Sequence, residues 1–248
     1  MRAYSDFEHL EVRVENGIAI VTFASKPEGE IEHSFFAEMR DIFGTLTIDT
    51  SIRAAVFTGK GEVFFGGVGA VRHKRLVAAG VDTIAGQLMT LKQIVEAILS
   101  FRKPVVAAVN GEAMNIGGQF ALLMDAAVAT PAAKFGDNHI AKGLAAGDGG
   151  TMLFPMLLGM ARAREVLLHG KAIGAQEALE LKLVTEIVAP ESLLETAVAT
   201  AERLAALPPM AYFTTKHSLY AWWRLSSMMS WDMAMGGEIA GLAQQAYS

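Results

Sequence analysis

Five consecutive apolar residues, Val105-Val106-Ala107-Ala108-Val109, stand between Lys103-Pro104 and Asn110-Gly111. The run does not alternate between polar and apolar side chains, so both of its faces must be covered. That is the pattern of an interior strand in a parallel sheet. The proline ahead of it ends the preceding helix by removing an amide donor, and Asn-Gly behind it marks a turn. A strand covered on both faces needs further layers of structure on either side, and the rest of the chain is patterned to supply them.

Leu10–Glu15 alternates apolar and charged residues, Asn16-Gly17 is a tight-turn signal, and Ile18–Phe23 reads as a more buried second strand, so the chain opens with a hairpin. Apolar spacings of three and four predict helices over residues 33–45 and 84–101. Between them lie a short strand at Arg53–Gly59 and an expected loop from Lys60 to about Val81, with the glycine-dense Gly66-Gly67-Val68-Gly69. A helix opens at Gly117-Gly118. From residue 150 onward the pattern is helical apart from a short strand near 183–188, with Pro208-Pro209 as an expected hinge before a helical region over 210–245. Strands alternating with helices point to an α/β class. The division expected is an α/β core over 1–190 and a helical C-terminal segment over 191–248.

Composition excludes several classes of function. A hydrophobic content of 52% rules out intrinsic disorder, and a net charge of −5 leaves no basic stripe for nucleic acid. There is no cysteine, hence no disulfide, thiolate metal site or cysteine nucleophile. The longest apolar stretch, about residues 152–161, is far short of a membrane span, and the first residues lack the shape of a signal peptide. A cytoplasmic protein without membrane or nucleic-acid partners is expected. The C-terminal arm carries Trp222, Trp223, Trp231, Met228, Met229, Met233 and Met235, which must be buried within the chain or against a neighbouring subunit.

Of six histidines, His9, His73 and His217 have polar neighbours and read as surface residues, and His169 suits a helix C-terminus. His33 opens a helix. His139 differs, because Phe135-Gly136-Asp137-Asn138 precedes it and Gly143-Leu144-Ala145-Ala146-Gly147-Asp148-Gly149-Gly150 follows. Such a loop can fold back to set Asp148 against the imidazole nine residues earlier. Spacing alone fits a structural ion pair equally well.

The stretch from Lys103 through Asn110-Gly111, Gly117-Gly118-Gln119, Asp125, Ala133–Gly136 and Gly147–Thr151, continued by Gly170–Ala178, resembles the enoyl-CoA hydratase (crotonase) superfamily over about residues 8–210. The resemblance implies stacked ββα units and a C-terminal helical region that assembles homotrimers, often paired as hexamers. It also implies an oxyanion hole in which two backbone amides, here those of Gly69 and Ile116, hold an enolate oxygen.

Two departures redirect the chemistry. Hydratases of this family share a water between two glutamates, and the matching positions here hold Gln119 and His139. Gly67-Val68-Gly69-Ala70 also departs from the usual Ala-Gly-Ala-Asp. A histidine at the second position with an aspartate nine residues later is similar to the 6-oxocamphor hydrolase-like β-diketone hydrolases, which cleave a carbon–carbon bond by a retro-Claisen reaction without coenzyme A. In that branch His33 matches an active-site histidine and Glu238 a glutamate of the C-terminal arm, whereas a second pocket histidine has no counterpart near Asn115-Ile116.

The resemblance thus implies that Asp148 accepts a hydrogen bond from His139 and that His139 deprotonates a water attacking a 1,3-diketone. His33, Glu238 and Gln119 would line the pocket, with no cofactor and no metal. The alternative is an enoyl-CoA hydratase or isomerase with a different acid–base set. A non-catalytic scaffold is a third reading.

Overall fold

The computed structural model describes residues 2–24, 33–65 and 70–246. The hairpin forms as expected: β1 (Leu10–Glu15) pairs antiparallel with β2 (Ile18–Phe23) across Asn16-Gly17, both at positive φ. After α1 (His33–Ile48), three successive passes follow one plan. Strand β3 (Ala54–Gly59) is followed by β4 (Val63–Phe65), β5 (Val105–Val109) by β6 (Glu112–Met114), and β7 (Ala126–Ala129) by β8 (Lys134–Gly136).

In each pass the first strand joins one sheet and the second joins another, and helices follow: α2 (Ala70–Ala79) and α3 (Val81–Ser100), then α4 (Ile116–Leu122), then α5 (Gly150–His169). The chain continues through β9 (Ile173–Gly174), α6 (Ala175–Glu180), β10 (Glu186–Ile187), α7 (Leu193–Ala205) and α8 (Pro209–Ala246). The six-stranded sheet runs β1-β2-β3-β5-β7-β10, and the four-stranded sheet runs β4-β6-β8-β9. This is the stacked ββα architecture of the crotonase fold.

Both faces of β5 are covered, as its composition requires. Val106 and Ala108 pack with Ile18, Ile20, Ala54 and Val56 against Leu193, Ala197 and Ala201 of α7. Val105, Ala107 and Val109 face the other core, where Phe23 touches the rings of Phe35, Phe57, Phe64, Phe65 and Phe120. Helix α4 approaches β4 so closely that a Cβ on Gly117 would lie 1.9 Å from the Phe65 carbonyl oxygen. Only glycine fits there.

Two expectations need correction. Residues 70–79 form α2, not loop, because Val77 packs against the core while Lys74, Arg75, Ala78 and Ala79 are exposed. The short strands β4, β6, β8 and β9 went unforeseen, since two or three residues cannot show alternation. Pro208-Pro209 separates α7 from α8, the break expected ahead of the last helical region. Pro209 is the first residue of an unbroken 38-residue helix, a position where the missing amide costs nothing.

That helix is anchored by a buried ion pair. Lys216 Nζ lies 2.7 Å from Asp125 Oδ2, and Asp125 also accepts hydrogen bonds from the Tyr220 hydroxyl and the Val105 amide. The aromatic and thioether residues of the arm divide between two environments. Trp231 is buried within the chain, whereas Trp222, Met228, Met229 and Met233 are exposed, Met233 at 87%. No described helix is long and apolar enough to cross a membrane.

Candidate active site

The turn after β8 sets His139 at the start of a short 3-10 segment, which closes at Gly143 in the left-handed region (φ 69°) and is tied back by the Leu144 amide to the His139 carbonyl. The loop then returns beneath α8, and Asp148 arrives two residues ahead of α5. Trp231 of α8 donates from Nε1 to the Gly147 carbonyl at 2.7 Å, fixing the loop where Asp148 is needed. Gly147 is required by close approach, since a Cβ there would lie 2.5 Å from Glu238 Oε2. Backbone glycine and a buried indole together place Asp148 and Glu238 beside His139.

The structure brings four ionisable side chains together, all buried: Asp137, His139, Asp148 and Glu238. Asp137 Oδ1 accepts both the His139 amide at 3.0 Å and Nδ1 at 2.8 Å. A carboxylate only accepts, so Nδ1 carries a proton and Nε2 is turned toward the other two acids. Nε2 lies 3.8 Å from Asp148 Oδ2 and 3.6 Å from Glu238 Oε1, too far for direct hydrogen bonds and right for a water touching all three. The expected hydrogen bond from His139 to Asp148 is thus corrected: Asp137 takes it. The sequence carries the signal, because an aspartate two positions before a histidine in a tight turn can cap both its amide and its ring.

Gln119 is also placed differently from expectation. It is fully buried behind Asp148, donating from Nε2 to Asp148 Oδ1 at 2.5 Å and more weakly to Asp137 Oδ2 at 3.5 Å. It does not line the cavity, because α4 delivers it from the core side. Apolar Phe36, Leu88 and Ile116 and polar His139, Asp148 and Glu238 line a cavity of about 30 Å³, room for an ordered water. Glu238 enters it from the same chain.

Electrostatics follow from burial and crowding. Burial alone would lower the His139 pKa, but Asp148, Asp137 and Glu238 outweigh it and push it up to about 10. Burial raises Asp148 to about 6 against the pull of His139, and raises Glu238 to about 8 with repulsion from Asp148 and Asp137. At neutral pH the site therefore holds an imidazolium, an ionised Asp148 and a protonated Glu238. It combines a base and an acid with pKa values near the working range.

Asp137, His139 and Asp148 each offer one atom within 4.8 Å of the others, a spacing that a metal ion could also use. Nδ1 is however committed to Asp137, which orients the ring as in an acid–base pair.

Ile116 is the first residue of α4, so its amide is among the donors that no helical carbonyl takes. Asn115 ahead of it holds φ 54°, ψ −129°, a strained conformation for a residue with a side chain, at a cost of about 1–3 kcal/mol. Asn115 is pinned there by its amide on the Gly136 carbonyl and its Oδ1 on the Asn138 amide. The Ile116 amide thus opens α4 beside the cavity that Ile116 lines. The second expected donor, Gly69, and the side chain of His33 lie outside the described residues. His9 bonds Ser34 and His73 bonds Gln245, while His169 ends α5, all away from the cavity.

Residues 13–231 match the family model described as enoyl-CoA hydratase/isomerase. The chain is 32% identical over 209 residues, 84% of its length and 80% of the relative, to an (E)-benzylidenesuccinyl-CoA hydratase of Thauera aromatica. Among solved structures, an enoyl-CoA hydratase/isomerase from Mycobacterium paratuberculosis superposes with a TM-score of 0.88 at 29% identity, covering 96% of this chain and 95% of that one. A β-diketone hydrolase from the cyanobacterium Anabaena, bound to (S)-3-oxocyclohexyl acetic acid, superposes with a TM-score of 0.86 at 24% identity, covering 98% and 97%; at that identity the likeness is one of fold.

Proposed function

Because the chain belongs to the enoyl-CoA hydratase/isomerase (crotonase) family, we propose that its site performs a hydrolytic variant of the family's enolate chemistry: retro-Claisen cleavage of the carbon–carbon bond between the carbonyls of a cyclic 1,3-diketone. The reaction needs no coenzyme A and no metal. One observation carries this reading. By the family resemblance Gln119 and His139 stand where a hydratase holds its two glutamates, and the imidazole faces Asp148 and Glu238 at 3.8 Å and 3.6 Å, across a gap fitted to one water.

In the proposed reaction a water between Nε2, Asp148 and Glu238 attacks one ketone carbon. Its proton passes to Asp148, and the His139 imidazolium stabilises the negative charge that develops on oxygen. Collapse of the tetrahedral adduct breaks the ring carbon–carbon bond. The electron pair leaves as an enolate, held by the Ile116 amide. Asp148 returns the proton to the enolate carbon, and the product is a keto acid. Relative to the expectation from sequence, His139 supplies charge and orientation and Asp148 is the group that takes the proton.

A purified sample incubated with cyclic 1,3-diketones and no coenzyme A should lose the ultraviolet absorbance of the enol, and His139→Ala should not. The second reading, hydration or isomerisation of an acyl-CoA, is favoured by relatives named as CoA-thioester hydratases at 32% and 29% identity. Turnover of crotonyl-CoA together with inert diketones would replace the first reading by this one.

We further propose that the exposed face of α8, with Trp222, Met228, Met229 and Met233, is covered by further copies of the chain in a trimer or hexamer. Light scattering should give three or six protomer masses, and Met228→Glu combined with Met229→Glu should release monomers.

A further inference from the structure

Resting on the proposed retro-Claisen reading, we propose that Gln119 is a positioning residue whose side-chain amide clamps Asp148 against the His139 imidazole, and that position 119 requires a neutral donor. One Nε2 serves two acids, giving 2.5 Å to Asp148 Oδ1 and 3.5 Å to Asp137 Oδ2. The clamp therefore joins the carboxylate that fixes Nδ1 to the carboxylate that faces Nε2. With Oδ1 held by the amide, Oδ2 is the oxygen left facing Nε2 at 3.8 Å. Gln119 is fully buried and absent from the cavity wall, so it acts through Asp148 and not on substrate.

The amide matters because of what surrounds it. Asp137, Asp148 and Glu238 already crowd three acids around one imidazole. A glutamate at 119, the residue a hydratase would carry, could make the same hydrogen bond only while protonated. Once ionised it would place a further buried negative charge against Asp148, whose neighbours already disfavour its ionised form. A glutamine donates at every pH. The substitution that departs from the hydratase pattern is therefore a requirement of the His139–Asp148 arrangement.

Two isosteric variants test this. Gln119→Met keeps the volume and removes the donor. It should lower kcat by about tenfold or more, change KM by less than about threefold, and move the acid limb of the kcat profile to higher pH by about half a unit or more. Gln119→Glu should recover activity relative to Gln119→Met at low pH and lose it as pH rises. Nitrogen-15 NMR of the His139 ring in substrate-free protein reads the same clamp without any reaction. The Asp148-linked inflection in its titration should move upward in Gln119→Met.

An unchanged inflection, or a change in KM alone, overturns the clamp even if diketones are cleaved. A shifted inflection in a protein that cleaves no diketone keeps the clamp and removes the retro-Claisen reading. Failure of both variants to fold, seen by circular dichroism, would make Gln119 a purely structural residue and overturn the proposal.

Discussion

Asp137 holds His139 at Nδ1, 2.8 Å away, and with the same oxygen accepts the His139 backbone amide. A single carboxylate thus fixes the turn and the rotamer of the ring, and Nε2 alone is left facing the other two acids.

Replacing Asp137 by Asn preserves volume and removes the obligate acceptor. The ring then loses the negative charge that favours its protonated form and the acceptor that fixes its orientation. On the proposed reaction kcat should fall by about 10²–10⁴-fold with little change in KM. Steady-state kinetics on a cyclic 1,3-diketone measure it.

The pH profile should be bell-shaped. Activity should rise as Asp148 ionises near its pKa of about 6, and fall as Glu238 ionises near about 8, which sets another negative charge 3.6 Å from Nε2. In Glu238→Gln that charge cannot form, and the falling limb should move to higher pH, set by the loss of the His139 proton that Asp148 and Asp137 still favour. A falling limb unmoved by this substitution would show that Glu238 does not control it.

Stability should decline over the same range. Burial raises Glu238 from 4.5 to about 8, so between those values the folded state keeps a proton that the unfolded chain has lost. His139, raised from 6.5 to about 10 by its acidic neighbours against the effect of burial, retains its proton in the same sense. Both favour folding at low pH and lose that contribution as pH rises. Melting temperature should therefore fall from pH 6 to pH 9, and less steeply in Glu238→Gln.

Gly147→Ala should disturb the site directly, because the new methyl would lie 2.5 Å from Glu238 Oε2 and 2.9 Å from the Ala234 carbonyl. A cost of about 1–3 kcal/mol is expected along with loss of turnover. Gly44→Ala in α1, where a Cβ meets nothing within 4 Å, should stabilise by about 0.5–1 kcal/mol. Urea denaturation of the two variants gives the comparison.

Lys216→Met would leave Asp125 buried beside two tyrosines without its cation. Breaking such a pair costs about 3–5 kcal/mol. Because Lys216 sits near the start of α8, which also carries Trp231 and Glu238, the loss should be visible by denaturation and as weaker turnover.

Sequence legibility follows physical scale. The hairpin, β5 and α3 were readable because alternation, continuous burial or 3.6-residue spacing extends over enough residues to be seen. The strands of the small sheet were not, because each is too short and is held by neighbours distant in the chain. His139, Asp148, Glu238 and Ile116 were reached through the resemblance, and the structure sets them around one cavity. The partner of Nδ1 was misplaced because sequence spacing cannot say which of two aspartates a ring will face. The position of Gln119 depends on α4 approaching from the core, a tertiary fact that no local pattern carries.

The central claim is that water, oriented by His139 and deprotonated by Asp148, cleaves a carbon–carbon bond. Mass spectrometry of the product formed from a cyclic 1,3-diketone in oxygen-18-labelled water, with no coenzyme A present, tests it most directly. The wild type should give a ring-opened keto acid carrying one labelled carboxylate oxygen, and His139→Ala should give none. Intact diketones across a panel of mono- and bicyclic substrates, with crotonyl-CoA hydrated by the same sample, would contradict it.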